Sequence, residues 1–470
     1  MTVTIPPSIL VGFRIMRALC PKVFPMSCLL LLVWPLAAQQ DPPEAAGTPS
    51  ADVGAPSGYS GPAVLSRGDQ PVANAVVADT IQPFLNVNRV YGTGLSGVVT
   101  GAAPNALQSG VDLGFGLRET HRWKRITLSV EYTGSYRDYT GPSAENGLNQ
   151  FLTATAVSQL KRHLVLSIRQ TGGILKQDIG DLLIQPEFLE TSSTVPTNEP
   201  FSNGMKLIDS VATLTYQKTR RLSFSGTIEG SLVREDSTLI VGTNIGIVRA
   251  DVNYRLSSRA TIGLAYSFNH FSYTTFGSTD VENAGVEYSW RATKSVDLAL
   301  EGGMAHSNTL GLVVVPIDPV LAALLGETTV IQVSDRAINT PTMNARVTKR
   351  WHGVSADLDY LRGISPGNGL VLASRQVALT AGLQYSGAKH WTVSIDAGRN
   401  TMAELGATTS YTGNTIGVSF SRLIRPSVQA VGRFGVLPVD YNGPQALNRT
   451  YYRAQIGLIF NPSQIPVALR

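Results

Sequence analysis

Residues 111–117 read VDLGFGL and residues 126–133 read ITLSVEYT. In the first, Val111, Leu113, Phe115 and Leu117 fall on one face, and Asp112, Gly114, Gly116 and Arg118 on the other. In the second, Ile126, Leu128, Val130 and Tyr132 oppose Thr127, Ser129, Glu131 and Thr133. A period of two marks a strand with one apolar and one polar face. Only the basic stretch HRWKR (121–125) separates the two segments, so they read as a hairpin.

The same pattern recurs down the chain. Leu222, Phe224 and Ile228 oppose Ser223, Ser225, Thr227 and Glu229. Val354, Ala356, Leu358 and Tyr360 oppose Ser355, Asp357 and Asp359, while Trp391, Val393 and Ile395 oppose Thr392, Ser394 and Asp396. Eight short connections link such segments: 121–125, 161–163, 218–221, 257–260, 292–295, 349–353, 386–390 and 423–427. Longer ones, including 174–205, 309–333 and 362–370, alternate with them. Tight turns at one end and longer loops at the other are the layout of an up-and-down barrel in an outer membrane. Eight hairpins give sixteen strands, and residues 451–460 add one more. An even number is the rule for a single-chain bacterial barrel. A first strand over 81–92 (IQPFLNVNRVYG) restores parity. The expectation is an all-β, transmembrane, antiparallel up-and-down β-barrel of about 18 strands, with short periplasmic turns and longer external loops. Sixteen is the alternative, because 81–92 alternates poorly.

Composition agrees. Charged residues are 15% of the 470 and hydrophobic residues 43%, against about 25% charged in soluble domains. A net charge of +5 without any basic block does not point to nucleic acid. Arg14, Arg17 and Lys22 precede an apolar core at 26–38 (MSCLLLLVWPLAA), with Ala37 and Ala38 as a cleavage site and Met16 as an alternative start. The core is shorter than the roughly 20 residues a membrane helix needs. Cys20 and Cys28 both lie in this segment, so the mature chain would have no disulfide, thiolate or cysteine–zinc site. Cys28 precedes the apolar core, which speaks against a lipoprotein. The expected division is a signal peptide (1–38), a disordered Pro/Ala/Gly-rich periplasmic leader (39–80), the barrel (81–461) and a short tail (462–470), placing the protein in the bacterial outer membrane.

Alternation also says which face meets lipid. The polar face carries Asp112, Glu131, Asp209, Glu229, Asp251, Glu287, Asp297, Glu301, Asp357, Asp359 and Asp396, with Arg118, Arg169, Arg249, Arg255, Arg291, Arg346, Arg433 and Arg453. A charge at the bilayer midplane costs about 2–4 kcal/mol, so these nineteen residues are read as lining the pore. Trp123, Tyr216, Tyr254, Tyr288, Trp290, Trp351, Tyr385 and Trp391 cluster beside the short turns, where an interfacial girdle belongs.

The last segment sets Tyr452, Ala454, Ile456, Leu458 and Phe460 on one face. It resembles the C-terminal assembly signal of outer-membrane proteins, except that ten residues (461–470) follow the aromatic. Residues 81–460 resemble the porin-like outer-membrane barrel superfamily in architecture. That resemblance implies passage of small hydrophilic solutes, recognition by the barrel assembly machinery, contact with outer-membrane lipids, and a homo-oligomer.

A barrel this wide leaves an aqueous channel unless it is plugged. Eleven acids against eight bases predict weak charge selectivity, although such charges can also simply pair across strands. Arg249, Asp251 and Arg255 share one strand face, as a wall network or a constriction. Residues 310–326 (LGLVVVPIDPVLAALLG) suggest either a short helix at the mouth or an apolar loop.

One stretch hints at chemistry. Asn269-His270-Phe271-Ser272 resembles the Asn-His-x-Ser stretch of outer-membrane phospholipase A. The resemblance implies His270 as base and Ser272 as nucleophile of a lipid hydrolase. Such a pair needs a third group to orient the histidine, and no asparagine on a neighbouring strand offers itself. The primary expectation is therefore a non-enzymatic channel, with a lipid hydrolase or a structural, adhesive barrel as alternatives. His121, His163, His352 and His390 sit at short turns. No metal, phosphate or dinucleotide motif occurs, and no cofactor is expected.

Overall fold

The structure, a computed structural model, describes residues 80–93, 107–140, 146–177, 203–236, 241–274, 277–316, 329–367, 369, 371–388, 390–405, 409–443, 447–462 and 465–466. Contacts divide the chain into Met1–Pro56 and Ser57–Arg470, and every described residue belongs to the second unit. The expected signal peptide and leader, apart from Thr80, lie outside the described residues.

Eighteen long strands follow one another. They are β1 (Thr80–Thr93), β2 (Leu107–Arg122), β3 (Ile126–Tyr139), β4 (Gly147–Lys161), β5 (Leu164–Gln177), β6 (Asn203–Gln217), β7 (Leu222–Glu235), β8 (Thr243–Arg255) and β9 (Ala260–Tyr273). Then come β10 (Ser278–Thr293), β11 (Val296–Pro316), β12 (Thr329–Trp351), β13 (Val354–Ser365), β14 (Ser374–Ala388), β15 (Trp391–Glu404), β16 (Ser410–Arg425), β17 (Val428–Asn442) and β18 (Leu447–Phe460). Each pairs antiparallel with its neighbours, and β1 pairs with β18 from Leu85↔Phe460 to Gly92↔Arg453. The ring is therefore closed with eighteen strands, and the sixteen-strand alternative falls. A two-residue β19 (Ile465–Pro466) extends the seam against Thr80 and Ile81.

Register carries the two faces around the ring. Residues directly opposite in an antiparallel pair share a face: Leu117 meets Tyr132, and Arg118 meets Glu131. On the outer face Leu85, Phe115, Leu214, Ile228, Leu264, Leu358, Leu383 and Ile456 are all exposed. So large an apolar surface is stable against lipid and not against water.

The short turns cluster at one end of the barrel. His352 (φ 34°) and Gly353 (φ 78°) both have positive φ, as a two-residue type I′ hairpin turn requires. At the other end β11 and β12 run on as a long hairpin, pairing from Leu310↔Asp335 to Pro316↔Thr329. This corrects the helical reading of 310–326: residues 310–316 are strand, and the rest lie outside the described residues. β-branched Val313, Val314 and Val315 favour that outcome.

Close approach at the seam dictates one glycine. A Cβ on Gly457 would lie 1.9 Å from Asn88 Oδ1 and 2.4 Å from the Val87 carbonyl oxygen. Gly457→Val should therefore weaken the closing contact, and overpacking of this kind costs about 1–3 kcal/mol. Urea unfolding of the detergent-solubilised barrel would register the loss as a lower midpoint.

Candidate functional site

All nineteen charged residues named above lie on the wall face opposite the exposed apolar side chains, and most are paired. Near the short turns, Arg118 Nη2 lies 2.8 Å from Glu131 Oε2, and Arg291 Nε lies 3.0 Å from Asp297 Oδ1. These pairs are largely exposed, so the lumen is wet at this end. Further along, Arg346 meets Asp359 at 2.5 Å, Arg433 meets Asp396 at 3.2 Å and Arg169 meets Asp209 at 3.7 Å. Asp357 sits beside Asp359 on β13, and Glu229 is half-buried on β7. Arg255 turns away to the 257–258 carbonyls (3.2 and 3.5 Å), so it does not join Arg249 and Asp251.

Two buried networks stand out. On β2, β3 and β18, Arg453 Nη2 donates to Tyr139 Oη (2.8 Å) and Asp112 Oδ2 (3.4 Å). Arg137 Nε approaches Asp112 Oδ1 at 3.8 Å, giving two guanidinium groups to one carboxylate. On β8, β10 and β11, Arg249 donates to Asp251 (2.7 Å), to Glu287 and to Glu301 (3.3 Å), giving one guanidinium to three carboxylates. Asp251 and Glu287 are 2% and 0% exposed. The first network involves β18, β2 and β3 and the second β8, β10 and β11, so they lie on opposite sides of the eighteen-strand ring, the first nearer the long-loop end and the second nearer the short turns.

Towards the long-loop end the inner face becomes apolar. Met402, Tyr411, Leu437, Val439, Tyr441 and Tyr451 form one inward cluster with Val371, which is fully buried. Ile245, Phe271, Tyr273, Val281, Ala305 and Leu405 form another with Ala373. Val371 and Ala373 belong to the 366–373 connection between β13 and β14. The Val241 amide donates to the Gly369 carbonyl (3.1 Å) and Tyr273 Oη to the Pro366 carbonyl (3.1 Å). The described residues of this connection thus turn into the lumen. Its glycines allow the path: Gly367 has φ +85°, and a Cβ there would meet the Val371 carbonyl oxygen at 1.9 Å.

The sequence pattern missed this closure and Arg137. A signal existed: at the long-loop ends both faces turn apolar, as in Met205, Leu207 and Ile208 or Leu437, Pro438 and Val439.

On the outer face, His270 and Ser272 of β9 lie near the long-loop end. His270 Nδ1 and Asp280 Oδ1 are 2.6 Å apart across the β9–β10 pair, so the orienting group is an aspartate. Ser272 Oγ, however, accepts a hydrogen bond from Asn244 Nδ2 (3.1 Å), and no His270–Ser272 hydrogen bond is present among the described residues. The base and the hydroxyl are engaged by different neighbours. The eight girdle aromatics lie towards the short-turn end, seven exposed and Tyr288 half-buried. There His121 meets Trp123 edge-on at 4.1 Å, Lys349 lies over Trp351, and Arg422 lies over Trp391. Among the described residues no cluster of His, Cys, Asp and Glu could hold a metal ion.

The architecture is a closed antiparallel β-barrel of eighteen long strands with an apolar outer face and a charged inner face. No protein-family model matches the sequence, and no curated protein matches it. The fold is similar to that of OpdQ of Pseudomonas aeruginosa, at 11% identity and TM-score 0.41, covering 82% of this chain and 98% of that one. It is similar also to OccK9 (OpdG) of the same organism, at 14% identity and TM-score 0.43, covering 81% and 98%. OccAB3 of Acinetobacter baumannii shows 8% identity and TM-score 0.42, covering 81% and 99%.

Removing one partner of a buried ion cluster leaves uncompensated charge and costs about 3–5 kcal/mol. Arg249→Met strands Asp251, Glu287 and Glu301 and should lower the unfolding midpoint sharply. Arg249→Lys, which keeps the charge, should lower it less. Equal midpoints for both variants and the parent would show that the cluster contributes nothing.

Proposed function

We propose that this protein is a channel of the bacterial outer membrane that passes small hydrophilic solutes. The short-turn end faces the periplasm, as the expected signal peptide and leader would require. The observation that carries this reading is the closed wall itself, apolar outside and lined with paired charges inside. A polar lumen in a lipid-embedded barrel has no structural necessity, because a barrel without a passage could be packed with apolar side chains.

The lining charges largely neutralise one another. That favours weak selectivity between cations and anions over the strong preference of a one-sign ring. The two buried networks carry opposite net charge and sit at different heights and on different sides of the wall. The inward 366–373 connection and the apolar clusters narrow the mouth, so they limit the size of what passes. The apolar outer face of β18 ending at Phe460 suits recognition by the barrel assembly machinery, and the exposed belt suits outer-membrane lipid or a second copy of the chain.

Planar-bilayer recording tests this. The wild type should open in resolvable steps in KCl, with a reversal potential close to zero under a salt gradient. Replacing Val371 and Leu437 together by serine should loosen the closure and raise the unitary conductance severalfold. A reconstituted, folded barrel silent in both forms would overturn the channel reading.

A further inference from the structure

Among the described residues, seven cationic side chains project from the outer face of strands at the long-loop end: Arg89, Lys176, Lys206, Arg234, Arg362, Arg375 and Arg399. Four have partners within the protein. Arg89 donates to Ser109 Oγ (3.0 Å) and lies over Tyr91. Lys176 and Lys206 share Asp236 (3.4 and 3.3 Å), and Arg234 donates to Asn244 Oδ1 (2.6 Å).

The remaining three do not. Arg362, Arg375 and Arg399 stand on the consecutive strands β13, β14 and β15, and none makes an ion pair or side-chain hydrogen bond to any described residue. Their register is close: Arg362 pairs with Val377, two residues from Arg375, and Arg399 pairs with Leu379. No acidic residue shares the outer face of these strands. Arg362 Nε is buried without a hydrogen bond. Directly below, towards the short turns, Leu358, Leu379 and Ile395 form the exposed apolar belt. The patch is thus at the rim of the lipid-facing surface, three guanidinium groups strong and without a counter-charge.

We infer that Arg362, Arg375 and Arg399 form a docking site for the phosphate-bearing headgroup of a membrane lipid. Guanidinium groups are weakly hydrated and match phosphate oxygens in a bidentate fork, so they suit this partner better than lysines would. The acyl chains of the same lipid would lie along Leu358, Leu379 and Ile395. Elsewhere on the rim the protein supplies its own partners. Here the bilayer supplies one.

The test is lipid binding to the intact protein in maltoside detergent, with dihexanoyl phosphatidic acid as probe and native mass spectrometry as readout. The wild type should retain the lipid at least tenfold more tightly than Arg362→Gln/Arg375→Gln/Arg399→Gln. Dihexanoyl phosphatidylcholine, which carries no net charge, should bind both weakly. A triple arginine-to-lysine variant should bind at an intermediate level, and Lys176→Gln/Lys206→Gln/Arg234→Gln should bind like the wild type. Equal loss in that lysine and arginine control would show diffuse attraction to the rim and overturn the site. So would displacement of the lipid by equimolar inorganic phosphate, which would make free phosphate the ligand. Should the triple glutamine variant not fold, Arg375→Gln alone, at the start of β14, should weaken binding severalfold; unchanged binding would overturn the proposal.

Discussion

Lipid offers no hydrogen-bond partner to a peptide group, and this one constraint organises the chain. A strand crossing the bilayer must have both edges paired. With eighteen strands in sequence order that leaves one free edge at each end, and the β1–β18 pairing removes both. Closure then fixes register, because a slip of one residue would exchange the two faces. The apolar outer face and the polar inner face are two consequences of the same pairing. Gly457 shows how close the seam must be: Asn88 covers the place where its side chain would stand.

The inner wall answers a different problem. Carboxylates such as Asp251 and Glu287 have little contact with water, and an unpaired buried charge is expensive. Both are therefore tied to the guanidinium of Arg249, which shares β8 with Asp251 and reaches Glu287 two strands away. Those ties are not optimised for stability, since apolar side chains of similar volume would often serve as well. Their retention in the wall makes sense only where the polar surface has a use. The long-loop end makes the contrast plain. There valine, leucine, methionine and tyrosine cluster on the inner wall, and Val371 and Ala373 pack against them and narrow the lumen. The same barrel thus carries both kinds of interior, polar where it is wet and apolar where it narrows.

Much of this was legible in the sequence because period-two alternation reports a local property. Whether Phe115 faces out depends on its immediate neighbours. Pairing is not local. Asp112 and Arg453 are 341 residues apart and meet only because the ring closes, so no spacing rule could have joined them. Asp280 escaped notice for the same reason: it lies opposite His270 by register across β9 and β10. The weak alternation of 81–92 also has a physical cause. Val90 points into the closed part of the lumen and Arg89 points outward at the rim, so both faces depart from the simple rule. Likewise 310–316 is an apolar run without alternation, and periodicity cannot separate a buried helix from a strand there.

The outer face itself records the thickness of the bilayer. On β15, outward residues run from Trp391 at the short-turn girdle to Arg399, eight positions on. On β9 they run from Ile262, opposite Tyr254, to His270, again eight. On β14 the interval from Tyr385 to Arg375 is ten, and on β6 that from Tyr216 to Lys206 is also ten. At about 3.3 Å per residue, and with strands tilted by about 40°, these intervals span roughly 20–25 Å of height, against an apolar band of about 25 Å. Four strands in three parts of the ring agree, and none was constrained by the others to place its first outward cation or histidine there. A common external surface, lipid of one thickness, explains the agreement. It also explains why the outward cations begin where they do: below that height a guanidinium would sit in hydrocarbon, and above it the headgroups can meet it.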